Sequence, residues 1–558
     1  MKKAIFIFVI CIAALLIQMP GSDSIVIPNS NIKTVEFFIG QATTQLVTTA
    51  TQSFTFSFDI PESSPVVRYA AIEINGVSLG VAGDAKITVG LNGGYKNVFF
   101  LGDGTAESQR FSLRYPFYPE IRQGTNGPYV LSINHVLATN SLTALNAKLI
   151  LTYEYDSTSQ RQLKTVKYFA GQTNTSFATG VKQTLNYSVF IPETGVNVTS
   201  AFLEINGVNS GIDNMVLGVH QETKDSGSAP QAIIIDDAAS TVSFVLLYNA
   251  TQIHKIKSAG NYGFNVSVNG TVTSGVVSIW GASAIVTYDY DKSETKQLNT
   301  VRYLIGAGNS SVSTGTQRGF NFVVPVAENM TVQSAFIKYT EWTGAATIAD
   351  PFVNLSITGG GKGMQSLIDL TTDGTNFVLL YNASELYNMT GNRTEGPYTF
   401  NSRVTATGHT NQLANAELFL TYNYSTTVSV TRTKTVEYGY FNFKAPIQGG
   451  GPLTTDSGFF IIAPENNVSA KSIYAEVNLV DSVGAAHSLN ISSRGTNMAY
   501  QSGGTSAESS YDYMLYNLSH VAENMSTGLN GIYDLAFGTS GLAAILNGKV
   551  IATYFFRP

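Results

Sequence analysis

Residues 51–61 read Thr51-Gln52-Ser53-Phe54-Thr55-Phe56-Ser57-Phe58-Asp59-Ile60-Pro61. Phe54, Phe56, Phe58 and Ile60 alternate with Thr55, Ser57 and Asp59. Period-two alternation over this length marks a half-buried strand with its apolar face inward. Pro61 cannot donate to a ladder and marks the strand's end. The pattern returns as Leu185, Tyr187, Val189 and Ile191 before Pro192, and as Phe320, Phe322 and Val324 before Pro325. Pro464 takes the same role near the end of the chain.

Around residues 51–61 the first block holds about eight candidate strands, centred near Val35, Phe56, Ile72, Ile87, Phe99, Leu113, Leu131 and Leu151. Turns such as Asn92-Gly93-Gly94 and Asp103-Gly104 separate several of them. Regular short strands with turn signals predict a β-sandwich of jelly-roll type. No stretch holds helical periodicity beyond a turn or two.

The block occurs four times. It opens as Lys33-Thr34-Val35-Glu36-Phe37-Phe38, Lys164-Thr165-Val166-Lys167-Tyr168-Phe169, Asn299-Thr300-Val301-Arg302-Tyr303-Leu304 and Lys434-Thr435-Val436-Glu437-Tyr438. The Thr-Val pairs lie 131, 135 and 135 residues apart. It closes around Tyr153, Tyr288, Tyr422 and Tyr554, and Tyr115, Tyr248, Tyr381 and Tyr516 match inside it. Such recurrence fits core packing. The period is too long for a solenoid unit, and each copy is large enough for its own core.

The sequence thus predicts an all-β chain of four tandem, jelly-roll-like sandwiches of about eight strands over 30–157, 161–292, 296–427 and 431–558. Short linkers, Asp156 to Gln162 and Asp291 to Gln297, predict an extended rod on the order of 150 Å long if the strands lie along it.

Residues 1–23 read as a signal peptide: Lys2 and Lys3, then an apolar run from Ala4 to Ile17, then Pro20-Gly21-Ser22. An uncleaved anchor is the competing reading. The single cysteine, Cys11, lies within this segment, so the exported chain has no disulfide or thiol chemistry. No later segment has the length and apolarity of a spanning helix. The net charge of −6, without a basic tract, argues against nucleic-acid binding. Charged residues are only 13% of the chain, while 31 Phe and 29 Tyr can fill large cores.

Chemistry is sparse, and no catalytic, cofactor or metal residue is expected. None of the six histidines, His135, His220, His254, His409, His487 and His520, stands at a ligand spacing from another. Each is read as a surface or strand-end residue. Asp236-Asp237 and Asp369 with Asp373-Gly374 lack the alternating pattern of a calcium loop and read as turns. Glu73 and Glu204 recur at one position, with Lys338 near the equivalent place in the third block, and read as paired strand-surface charges. Trp280 is assigned to the core. Trp342, between Thr340-Glu341 and Thr343-Gly344, is placed on a loop as the best candidate for an exposed contact.

Seventeen N-x-S/T sequons run from Asn174 to Asn524, and the first block has none. Asn249, Asn382 and Asn517 recur directly after the shared Tyr and are the candidate glycosylation sites. A bare first domain suggests that it is covered by something. The function expected is an exported cell-surface or extracellular structural or adhesive protein, a glycosylated rod rather than an enzyme. Its expected partners are cell-envelope components, glycans or its own copies. The alternative is a secreted glycan- or protein-binding module using variable loops. An outer-membrane β-barrel ranks below both.

Overall fold

The computed structural model describes residues 29–558 apart from interruptions, mostly between strands, the longest being 118–126, 344–351, 385–395, 440–454, 503–510 and 520–528. The signal segment expected at 1–23 lies outside the described residues. The described residues are all-β, their strands joined by turns and short helical pieces such as the six-residue helix Thr251–Ile256.

In the first quarter the strands are β1 (Ser30–Gln41), β2 (Thr51–Phe56), β3 (Val66–Leu79), β4 (Ala85–Leu91), β5 (Lys96–Gly102), β6 (Gln109–Pro116), β7 (Tyr129–His135) and β8 (Ser141–Asp156). Each of the eight sequence centres falls inside one of them. They form two antiparallel sheets, ordered β1-β8-β3-β6 and β2-β7-β4-β5. Val35, Ile72, Leu113 and Leu151 of one sheet share a core with Phe54, Ile87, Phe99 and Leu131 of the other. The alternation that opened the sequence reading is obeyed: Phe54, Phe56 and Phe58 are buried and Thr55 and Ser57 exposed.

The other three quarters repeat this order. Their counterparts of β1, β8, β3 and β6 pair in the same sequence, as do those of β2, β7, β4 and β5. The second quarter adds two short strands, Phe177–Ala178 and Ser226–Gly227.

The expected rod is not what the chain forms. Each quarter starts and finishes at one end, because Ser30 pairs with Asp156, Arg161 with Asp291, Lys296 with Ser425 and Arg432 with Phe556. A short linker leaving that end must begin the next quarter beside the last one rather than beyond it. Side-by-side quarters then close on themselves. Glu36 N donates to Thr165 Oγ1 at 2.9 Å, Lys167 N to Thr300 Oγ1 at 3.1 Å, and Arg302 N to Thr435 Oγ1 at 2.9 Å. The cycle is completed when Glu437 N donates to Thr34 Oγ1 at 2.9 Å, joining the fourth quarter to the first across 403 residues. Repeated head-to-tail contacts make a ring when the rotation closes.

Closure also explains the opening motif. The strand carrying it lies at the edge of its sheet and presents unpaired backbone groups. Thr165 accepts from Glu36 N while Thr287 donates to Glu36 O, so both edge groups of Glu36 are satisfied by the next quarter. Thr421 and Lys167, Thr553 and Arg302, and Thr152 and Glu437 repeat the second of these bonds.

A second cycle uses Glu62, Glu193, Glu328 and Glu465. They accept from the backbone N–H of Leu163, Leu298, Thr433 and Ile32 respectively, at 2.7 to 2.9 Å. Lys33, Lys164 and Lys434 bond the matching carbonyls of Leu163, Leu298 and Ile32, and Asn299 bonds that of Thr433. The shared Tyr153, Tyr288, Tyr422 and Tyr554 are buried as core residues, and each hydroxyl donates to the glutamate of its own quarter. In the Lys-Thr-Val motif, Val is therefore core, while Lys and Thr join quarters.

Candidate functional site

The sheets that contain β1, β8, β3 and β6 and their counterparts turn their second faces toward the ring axis. Period two decides which side chains go there. Ile72 and Ile74 enter the sandwich core, so Glu73 and Asn75 point the other way. The same step places Glu204 between Leu203 and Ile205, Lys338 between Ile337 and Tyr339, and Glu476 between Ala475 and Val477. Glu36, Lys167, Arg302 and Glu437 of the opening motif join them, as do Lys148, Glu417, Lys549 and Arg114.

Six glutamates thus face six cations. Lys148 Nζ lies 2.8 Å from Glu204, 3.2 Å from Glu73 and 3.6 Å from Glu36. Arg114 joins Glu73 at 2.7 Å to Glu476 at 2.6 Å. Arg302 holds Glu417 at 2.6 Å and also pairs with Glu437. Lys549 lies 2.9 Å from Glu437 and 3.4 Å from Glu476. Lys167 reaches Glu36 at 2.5 Å, and Lys338 lies 3.9 Å from Glu417. Tyr474 and Tyr513 donate to Glu417, and Tyr513 also to Glu476. The Phe419 ring lies under the Arg302 guanidinium, 4.7 Å from its centroid.

Nearly all of this network is buried, Glu417 completely. Burial alone would raise the glutamates, but Lys148, Arg114 and Lys549 outweigh it at Glu73 and hold that carboxyl well below its ordinary range. At Glu437 burial is likewise overcome, by Lys549 and Arg302, and the pKa falls to about 2. Arg114, Lys148 and Arg302 are raised by their carboxylates despite burial, but Lys549 is not. Burial and the nearby Arg114 lower it more than its two carboxylates raise it.

The axial residues line a cavity of about 50 Å³. Glu73, Glu204 and Lys338, which the sequence offered as surface charges, are paired as expected but face the axis, with Glu73 buried. Period two reports a second face, not what covers it.

The other sequence candidates do not gather there. Trp342 is not on a loop: it lies in the strand Met330–Thr343, paired with Leu413 and Asn376, and its side chain is outside the described residues. Trp280 is fully buried as expected, but it belongs to the core of the third quarter, edge-on to Phe377. His135 ends its strand, as read, but is buried, and His254 is buried in the helix Thr251–Ile256 rather than at the surface or a strand end. Burial lowers His254 to about 3, and its Nε2 is 3.3 Å from Tyr187 Oη. His409, His520, Asp236, Asp237 and Asp373 lie outside the described residues. Among the described residues no group of three His, Cys, Asp or Glu could hold a metal ion, and no helix is long and apolar enough to cross a membrane.

The recurring sequons have a structural role. Asn249, Asn382 and Asn517 each accept, through Oδ1, from the backbone N–H two residues on, at 2.9 to 3.0 Å. The hydroxyls of Thr251, Ser384 and Ser519 then bond Ala201, Ala335 and Ile473 in the neighbouring strand. This is Asx-turn chemistry. Asn249 and Asn517 are exposed and Asn382 is half-buried.

No family model matches the chain, and no curated protein matches it. Among solved structures, BuGH86wt in complex with neoagarooctaose is 13% identical, over 43% of this chain and 34% of that one, with a TM-score of 0.18. This chain thus spans about a third of that protein. The infectious bursal disease virus Gx strain structure is 8% identical over 73% and 83%, with a TM-score of 0.17. The triple jelly roll and turret assembly of an archaeal virus is 10% identical over 70% and 91%, with a TM-score of 0.12. Scores this low carry no argument about function.

Proposed function

We propose that the chain is an exported cell-surface or extracellular structural protein in which four tandem jelly-roll domains close into one ring-shaped block. The observation that supports this most directly is the cycle of four equivalent Thr bonds that joins the quarters. Its partners on this reading are cell-envelope components, glycans or further copies of itself. Residues 1–23 direct export and are removed. Asn249, Asn382 and Asn517 serve as glycan acceptors, since the Asx bond uses Oδ1 and leaves Nδ2 out of that bond.

Cell fractionation with intact-mass analysis of the native protein tests this. The expected result is an envelope or external location, loss of the leader, and excess mass removed by deglycosylation. An intracellular protein of full unmodified mass would overturn it.

A secreted binding module is the second reading. It is favoured by the connections β3–β4, β5–β6 and β7–β8, which all leave the sheets at the end opposite the linkers. Trp342 lies at the end of the strand preceding one of them. Retention on a glycan or envelope fraction would support it. The eight separate open sheets do not favour a membrane barrel, which requires one closed sheet.

A further inference from the structure

We propose that the axial cavity is a binding site for one small anion, a halide or a tetrahedral oxyanion, shared among all four quarters of the ring. The cavity wall carries Arg110, Arg114, Lys148, Lys167, Arg302, Lys338 and Lys549 against only Glu36, Glu73, Glu204 and Glu476. Glu417 and Glu437 stand behind this wall and offset two of the cations. The surface the cavity presents is therefore electropositive.

Its hydrogen-bonding capacity is also lopsided toward donors. Arg114 Nη1, Arg302 Nε and Asn206 Nδ2 are buried donors on the lining without a hydrogen-bond acceptor in the structure, against one such acceptor, Glu36 Oε2. Asn206 shows why. Asn75 opposes Asn146 and bonds it at 3.4 Å, and Asn415 bonds Thr340 at 3.3 Å. In the second quarter the strand opposite Asn206 has Gly281 instead, which packs against Leu380. A fully buried amide is left facing the cavity. Leaving a buried donor unsatisfied is costly, so such a group calls for an acceptor. A water needs roughly 10–15 Å³ of such space, and 50 Å³ has room for a few waters or one small anion. Surplus donors and surplus positive charge favour the anion over neutral water.

The test uses the purified full chain with bromide and inorganic phosphate as separate probes. The thermal midpoint is followed as each replaces gluconate, too large for the cavity, at constant ionic strength. Crystals grown in bromide are examined for anomalous scattering. The expected result is a saturable rise in the midpoint with at least one probe and density on the axis beside Asn206 and Arg114. The arm that saturates at lower concentration distinguishes halide from oxyanion. Asn206→Leu removes one donor and should weaken the apparent affinity by about tenfold, the equivalent of one hydrogen bond. Should that variant not fold, the wild-type bromide and phosphate measurements decide alone. Midpoints independent of both probes, with only water on the axis, would overturn the proposal.

Discussion

Three of the four junctions use one residue pair. Phe38, Phe169 and Leu304 sit on apolar clusters of the next quarter, and their backbone N–H groups donate to Ser200, Ser334 and Ser472. At the fourth junction the sizes are exchanged. Gly439 takes the large residue's place and Tyr69 the serine's, so that a Cβ on Gly439 would overlap the Tyr69 ring. Gly439→Leu is expected to destabilise by about 1–3 kcal/mol through overpacking. Combined with Tyr69→Ser, which restores the pattern of the other junctions, it should recover much of that loss. A double-mutant cycle from chemical denaturation measures the coupling, and additive losses would contradict this account of the junction.

Single carboxyls also set the response to pH. Glu437 titrates near 2 in the folded chain, below the ordinary glutamate value of roughly 4.3. The folded state binds fewer protons there, so this contribution is present above the ordinary value and is lost as pH falls toward 2. Glu341 is the opposite case. Burial raises it to about 7 against the opposing effects of Tyr339 and Arg318. The folded state holds that proton longer, so stability falls as pH rises from the ordinary value through 7. Denaturation measured across pH 2–8 should show both slopes. Glu341→Gln should flatten the upper one, a difference on the order of 3 kcal/mol.

At the level of strands, most of the fold is legible in the sequence. Alternation alone finds the strand at Phe54 and Phe56, although it ends there, short of Phe58 and Ile60, and all eight centres of the first quarter are real. Its limits are equally specific. Glu36 between Val35 and Phe37 has the pattern of a water-facing residue, and only the structure shows that the facing surface is another quarter. The pairing of the opening and closing motifs was the missing clue, since it puts both linkers at one end and forces neighbours side by side. The buried ion pairs are a weak argument for stability. They do distinguish the quarters: equivalent positions carry Glu36, Lys167, Arg302 and Glu437, acidic in the first and fourth quarters and basic in the second and third.

The edge strands give a test of closure at this scale. Thr165→Val, Thr300→Val and Thr435→Val each remove the acceptor for a backbone N–H of the preceding quarter and should cost about 1–3 kcal/mol. Thr34→Val should cost as much, since Thr34 serves Glu437 of the fourth quarter. In an open row of quarters it would keep only its bond to Thr152 Oγ1 in its own quarter. Thr55→Val, on an exposed strand face, is the control with little effect.

Closure decides the dimensions of the whole molecule. A compact chain of this length has a radius of gyration of roughly 24 Å by the scaling for folded domains. A rod of about 150 Å, the length expected from end-to-end sandwiches, would give roughly 43 Å. Small-angle scattering of the purified chain separates these without ambiguity, and a value near the lower figure is expected. The same measurement gives the acid prediction a spatial readout. The fourth junction is the one without a linker, and Arg114 with Glu476 and Glu437 with Thr34 hold it. As pH falls and the depressed carboxyl of Glu476 takes up its proton, this junction loses the Arg114 ion pair, while linkers still tether the other three. The radius of gyration should therefore rise before the sandwich cores melt. Loss of the ring and of the β-sheet circular dichroism in one step would show that the quarters have no stability apart from the closed assembly.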